Sequence, residues 1–281
     1  MQVPTEPEPV IDMLAAAREK LGIKTAGIHG DQTLDTRAKF LIFGGSGVGK
    51  TVLSATTAQV ADWCPVLLLD PEGGATSLMT RDYGTNLEVA PIDAPAKVES
   101  IFRGVKSGRL PYRTVILDSI GEMYLMRIKE VMVTQGTHLD SDQAEQLHYA
   151  IAHGWLRRIV RDFLFHAPQL KCVVVTCGEQ VYADETSGVG LISPALSGKL
   201  SGEVGRIFDL VLWMHVKTDP NDNKQLIRVA QVQPDRRVRA KDRWDLFPAL
   251  IERPNFAEMW ALRVAQVAKL QAQRDSKPQG G

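Results

Sequence analysis

The eight residues Gly44-Gly45-Ser46-Gly47-Val48-Gly49-Lys50-Thr51 restrict what this chain can fold into more than any other segment. They satisfy G-x-x-x-x-G-K-[ST] completely. They also lie between a short apolar run at residues 39–43 and a helical stretch at 49–62, which is the setting that makes the pattern meaningful. Glycines let successive main-chain N–H groups turn inward around phosphate oxygens, and a helix starting at the end of the loop adds the positive end of its dipole. Lys50 is expected to reach the β- and γ-phosphates of a nucleotide, and the Thr51 hydroxyl to ligate Mg²⁺. The glycine spacing does not fit the G-x-G-x-x-G of a dinucleotide fold.

The rest of the chain supplies strands and helices in alternation. Apolar runs at 64–69, 87–92, 114–117 and 172–176 read as strands, several apolar enough to be covered on both faces. Helical patterns fall at 96–107, 121–133 and 142–166. The expected fold class is therefore α/β, with a mostly parallel central sheet flanked by helices. Two further strands, at 210–216 and 225–233, follow each other without a helix, so that edge is expected to be an antiparallel hairpin turning at 219–223. Residues 182–201 are rich in Gly, Ser and Thr without clear periodicity and read as a long functional loop.

Outside the core, residues 1–9 are rich in Pro and Glu and read as disordered, 11–21 as a helix ending at Gly22, and 22–37 as a connector. A C-terminal helix is expected at 254–273, with a polar tail from 274. The expected organisation is an N-terminal stretch 1–37, a core 38–253 and a C-terminal helix and tail 254–281.

Composition narrows the function classes. No apolar run reaches the roughly 18 residues of a membrane span, and the N-terminus does not read as a signal peptide, so a cytoplasmic location is expected. The three cysteines, Cys64, Cys172 and Cys177, lack zinc-type spacing and read as reduced core residues. His148 and His153 read as ordinary helix residues. A net charge of zero means that any nucleic-acid surface must be local. Arg157, Arg158 and Arg161 read as the wet side of a helix.

Two strand-end carboxylates are candidates for catalysis, with helix capping the alternative for Asp118. The run Thr-Val-Ile-Leu-Asp at 114–118 ends an apolar strand in Asp118, where it can hold Mg²⁺. Asp70-Pro71-Glu72 follows another buried strand, and Glu72 is by position either the group that orients and deprotonates water or a carboxylate serving a turn or helix start.

At this point the chain resembles the RecA-like P-loop ATPases, through GGSGVGKT at 44–51, LLLDPEGG at 67–74 and VILDSI at 115–120. More narrowly, LLLDPEGGATSL, VILDSIGEM, SPALSGKL and the later AKDR resemble phage-encoded RecA-like ATPases of recombination and single-strand annealing. The resemblance implies a DNA-dependent ATPase using ATP and Mg²⁺, held by Lys50, Thr51 and Asp118, with Glu72 as base. It implies a polar sensor between 176 and 180, with Gln180 the residue type that suits best, and a DNA-binding loop at 182–201, where Tyr182 either stacks on a base or packs at a strand end, packing being preferred. Its partners would be single-stranded DNA, further copies of the chain in a ring or filament with ATP between subunits, and a single-strand binding protein. Within the basic segment Arg236, Arg237, Arg239, Lys241 and Arg243, the last two resemble groups that reach a neighbouring subunit's γ-phosphate.

Three other readings compete, one of them a non-hydrolysing module that binds ATP only to assemble. Asp118-Ser119-Ile120-Gly121 fits the D-x-x-G of GTPases, and Val216-Lys217-Thr218-Asp219 partly matches a guanine-reading motif. A small-molecule kinase would need an Arg-rich lid, and residues 182–201 contain no Arg.

Overall fold

The computed structural model describes residues 37–136, 144–183, 190–196, 198–219 and 222–275. The expected helix at 11–21, the segment 1–9, nearly all of the connector and the tail beyond 275 lie outside the described residues.

Strand β1 (Ala38–Gly44) is buried along its whole length. Its side chains alternate between two cores, Leu41 and Phe43 facing one and Phe40 and Ile42 the other. A strand with apolar residues at every position can only sit inside a sheet covered on both faces. The same holds for β2 (Val66–Asp70), β4 (Thr114–Leu117) and β5 (Cys172–Cys177). With β3 (Leu87–Pro91) and β8 (Leu210–Asp219) these strands run parallel in the order β8-β1-β5-β4-β2-β3. Beyond β8, the antiparallel strands β9 (Asp222–Gln231) and β11 (Leu250–Glu252) extend the edge, and the short β10 (Lys241–Asp242) pairs with the start of β8. The mostly parallel sheet and the antiparallel edge hairpin are as the sequence pattern implies.

Helices cover both faces. On one lie α2 (Pro95–Lys106), α3 (Ile120–Thr134), α4 (Gln146–Phe165) and α5 (Gly198–Ile207), contributing Phe102, Met123, Phe163 and Val204 to the core. On the other lie α1 (Lys50–Ala55) and the start of α6 (Phe256–Asp275), where Phe256 stacks on Phe40 with ring centroids 4.5 Å apart. Residues 37–270 form one compact unit, which includes the first turns of this last helix.

Two expectations need correction. The helix after the glycine loop is shorter than the expected 49–62 and continues as 3-10 turns at Thr56–Gln59 and Ala61–Trp63. Thr56 and Thr57 donate their hydroxyls to the carbonyls of Leu53 and Ser54, which draws the backbone out of the α-helical pattern. Of residues 182–201, those described are largely regular structure: β6 (Glu179–Ala183) pairs antiparallel with β7 (Gly190–Pro194), followed by α5, while 184–189 and 197 lie outside the described residues. Much of this ribbon is solvent-exposed, so it carries no apolar alternation to read. Arg157, Arg158 and Arg161 lie on the solvent-facing side of α4, as expected, and they also tie helices together. Arg157 and Arg161 both engage Glu203 on α5, and Arg158 reaches Glu99 on α2 at 2.6 Å.

The histidines and cysteines have structural roles. His148 Nδ1 accepts the Glu145 N–H and closes the N-terminus of α4, and the His153 ring stacks on Tyr124. All three cysteines are free thiols, and burial pushes Cys177 up to about 12.

Candidate nucleotide site

Parallel strands end together, so the sheet's C-terminal edge collects the residues that follow β1, β2, β4 and β5. The register puts Leu69 beside Leu117 and Leu117 beside Val175, while Ile42 pairs with Thr176. Asp70, Asp118, Thr176 and the glycine loop therefore meet at one level. The cleft they frame has a volume of about 640 Å³ and is lined by the loop, Glu72, Asp118, Ser119, Glu179 and Arg228.

The loop's shape depends on its glycines. A Cβ at Gly44 would lie 2.2 Å from the Met214 carbonyl oxygen on β8. Gly49 adopts φ +99°, and a Cβ there would lie 2.5 Å from Cδ and Nε of Arg228. Lys50 Nζ donates to the carbonyls of Gly44 and Gly45, at 2.9 and 2.7 Å, so its ammonium lies against the loop.

Asp118 follows β4 and is nearly buried. Burial pushes its carboxyl above the usual range, hydrogen bonds from Thr176 and Thr51 pull the other way, and the nearby charges of Glu72 and Asp70 push it further up. A buried anion beside a threonine hydroxyl and two more carboxylates suits a hard divalent cation. Among the described residues no cluster of three or more His, Cys, Asp or Glu forms a complete metal cage. Mg²⁺ is suited to such a partial set, because it takes one or two protein oxygens and completes its shell with phosphate and water.

Asp70 and Glu72 divide the labour of their motif. The Asp70 carboxylate is buried and accepts the N–H groups of Glu72 and Gly74, each at 3.1 Å, and of Ala75 at 2.9 Å. That tied turn presents Glu72, whose Oε1 accepts the Ser119 hydroxyl just beyond Asp118. Glu72, Asp118, Thr51 and Lys50 are thus brought together in one cleft.

Other expected residues fall elsewhere. Gln180 is not among those lining the cleft: its Nε2 donates to the carbonyls of Pro194 and Leu196, at 2.7 and 3.3 Å. Its neighbour Glu179 is the residue that lines the cleft, held by the Trp213 indole N–H at 2.6 Å. One step along a strand reverses the side-chain direction, so a one-residue uncertainty in register decides which side chain enters. Lys241 and Arg243 lie beside the start of β8, away from the edge that carries the loop. Lys241 donates to the carbonyls of Gly205 and Phe208, and Arg243 to Asp209 and to the Arg206 carbonyl, so both secure the C-terminal end of α5 within this chain. Asp219, the residue a guanine reader would need, is buried and paired with Arg253. Arg228 was not singled out in the sequence, because an arginine in an edge strand carries no motif.

Residues 36–244 match the AAA domain family. The chain belongs to that family. The match spans the loop, both carboxylate motifs and most of the sheet. Among solved structures, the RadB recombinase is 15% identical over 69% of this chain and 81% of its own, with a TM-score of 0.44. The Legionella pneumophila ATPase DotB is 12% identical over 82% of this AAA domain and 52% of its own chain, with a TM-score of 0.32. No curated protein matches the sequence. Among the described residues no helix is long and apolar enough to cross a membrane.

Proposed function

We propose that this AAA domain hydrolyses ATP in the cleft at the sheet edge and couples turnover to single-stranded DNA, in the manner of phage-type RecA-like recombination and annealing ATPases. The observation that carries the reading is the meeting of Lys50, Thr51, Asp118 and Glu72 in one cleft. The glycine loop turns its N–H groups to the phosphates, and Lys50 exchanges loop carbonyls for phosphate oxygens. Thr51 and Asp118 would hold Mg²⁺, which when bound supplies electrostatic stabilisation of phosphate charge. Glu72, fixed by its turn and by Ser119, takes the proton of the attacking water.

The DNA surface is assigned to the β6–β7 ribbon and its neighbour. Tyr182 is 44% exposed on β6 rather than packed, and so is free to stack on a base. Alongside β7, the Arg239 N–H donates to the Ile192 carbonyl at 2.9 Å, so the exposed Arg236, Arg237 and Arg239 sit next to the ribbon. Exposed cations and an exposed aromatic on neighbouring strands are the groups single-stranded DNA needs for its phosphates and bases. Glu179 starts β6 in the cleft, which gives the phosphate site a continuous strand to this surface. Self-assembly and a single-strand binding protein as partner rest on the family resemblance.

The test is steady-state ATP turnover, with and without single-stranded DNA, for the wild type, Lys50→Ala and Glu72→Gln. DNA should raise wild-type turnover, and Lys50→Ala should abolish nucleotide binding. Glu72→Gln should bind ATP but turn over about 10²–10⁴-fold more slowly. Unchanged turnover in Glu72→Gln refutes the base assignment, and turnover indifferent to DNA refutes the coupling.

A further inference from the structure

Among the described residues two cations line the cleft, Lys50 and Arg228, and the mechanism above uses only the first. Arg228 projects from β9, two residues along from Ala230, which pairs with Met214 beside the loop. Its stem lies over Gly49, close enough that even a methyl group there would collide with it. The guanidinium is thus stationed above the junction between the glycine loop and α1. Among the described residues it makes no hydrogen bond or ion pair, and Arg228 is exposed, so its planar set of donors is free for a ligand.

The surroundings say which part of a ligand it meets. A second cavity, of about 340 Å³, adjoins the cleft and shares Gly49, Val52 and Arg228 with it. Glu72 and Asp118 do not line that cavity, while Asn255 and Glu258 do. The cleft therefore has a hydrolytic end and an exit, with Arg228 at the exit. A triphosphate threaded through it, with its terminal phosphate at Glu72, passes its inner phosphates beneath Arg228.

We propose that Arg228 grips the α- and β-phosphates of the nucleotide from the side opposite Glu72, with the nucleoside in the adjoining cavity. The inference rests on the ATPase reading and adds to it a residue that sets nucleotide affinity. Bidentate contact with phosphate is what a guanidinium does best. Because the inner phosphates are common to ATP, ADP and the transition state, the contact is uniform binding, which governs KM rather than kcat.

The experiment compares wild type, Arg228→Ala, Arg228→Lys and Lys50→Ala by calorimetric titration with MgATP and with MgADP, by turnover, and by nucleotide-free thermal unfolding. Arg228→Ala should weaken ATP and ADP by the same factor, about 10–100-fold for a lost charge-assisted contact. KM should rise in step while kcat changes by less than about threefold. Arg228→Lys should recover part of the affinity, and nucleotide-free Tm should stay at the wild-type value. Unchanged affinity in Arg228→Ala, a loss confined to ATP, or a loss matched by a fall in nucleotide-free Tm overturns the assignment while Lys50→Ala still reports the loop's own role. A wild type that binds neither nucleotide refutes the ATPase reading itself, and this inference falls with it.

Discussion

Asp70→Asn probes how the proposed base is held. The Asp70 carboxylate is 6% exposed and accepts three main-chain N–H groups, those of Glu72 and Gly74 on Oδ1 and that of Ala75 on Oδ2. Asparagine can keep its carbonyl toward the first two, but its amide N–H₂ then faces the Ala75 N–H, donor against donor. Losing one bond to a charged acceptor costs about 1.5–3 kcal/mol. Removing the charge weakens the other two as well, since charge-assisted bonds are roughly twice as strong as neutral ones. Partial hydration of this largely exposed turn offsets some of that, so a net loss of about 2–3 kcal/mol is expected. For a domain of this size each kcal/mol lowers Tm by about 2–4 °C, which puts the drop at about 4–12 °C. The same change loosens the turn that aims Glu72, and a displacement of about 1 Å at a reacting group costs up to about 10²-fold in rate. Calorimetric unfolding and ATP turnover should therefore both fall, with ATP affinity changed little, because Asp70 does not line the cleft. A normal Tm with normal kcat refutes the anchoring argument. A lowered Tm with normal kcat shows that Glu72 needs no such anchor.

Asp118→Asn should separate stability from function. Its carboxyl is held above the usual range, mainly by burial, so the folded chain binds that proton more tightly than the unfolded chain. Ionisation then opposes folding at neutral pH, and the opposition fades as pH falls through the folded value. The variant should be more stable than the wild type without nucleotide at pH 7, and lose that advantage below the ordinary aspartate value of 3.8, while Mg²⁺-dependent ATP binding is lost. A lower nucleotide-free Tm at pH 7 contradicts this. Glu203 behaves oppositely: Arg157 holds its carboxyl below the usual range, so its stabilisation is complete above its ordinary value of 4.5 and lost as pH falls further. Glu203→Gln should flatten the acid side of the stability profile, measured by urea titration at stepped pH, and an unchanged acid limb counts against the helix clamp. Replacing Arg236, Arg237 and Arg239 together by Ala should lower the slope of log affinity for single-stranded DNA against log salt by about 2, at roughly 0.7 per phosphate contact. An unaltered slope removes these arginines from the DNA surface.

The segments of the cleft that could be placed from the sequence are those whose pattern is local. The loop at 44–51, the strand ending in Asp118 and the Asp70-Pro71-Glu72 turn are of this kind, and the strands carrying them are apolar throughout. Which of Glu179 and Gln180 lines the cleft is not legible in the sequence, because that choice needs the register of a two-stranded ribbon that solvent largely surrounds. The trans role expected of Lys241 and Arg243 met a different use within this chain, because charge spacing does not reveal which carbonyls are near. Only packing shows that the end of α5 lies beside them.

Local chemistry thus determined the glycine loop, the alternation of parallel strands and crossover helices, and the placing of Glu72 and Asp118 at strand ends beside that loop. It did so because turn glycines, buried strand runs and strand-end acids act over a few residues. Tertiary structure alone decided that Asp70 serves as an anchor, that Glu179 rather than its neighbour faces the cleft, and that Arg228 stands over Gly49 from a strand far along the chain. Those facts depend on which side chains are brought together across the sheet, and contacts between distant segments leave no periodicity in the sequence from which to infer them.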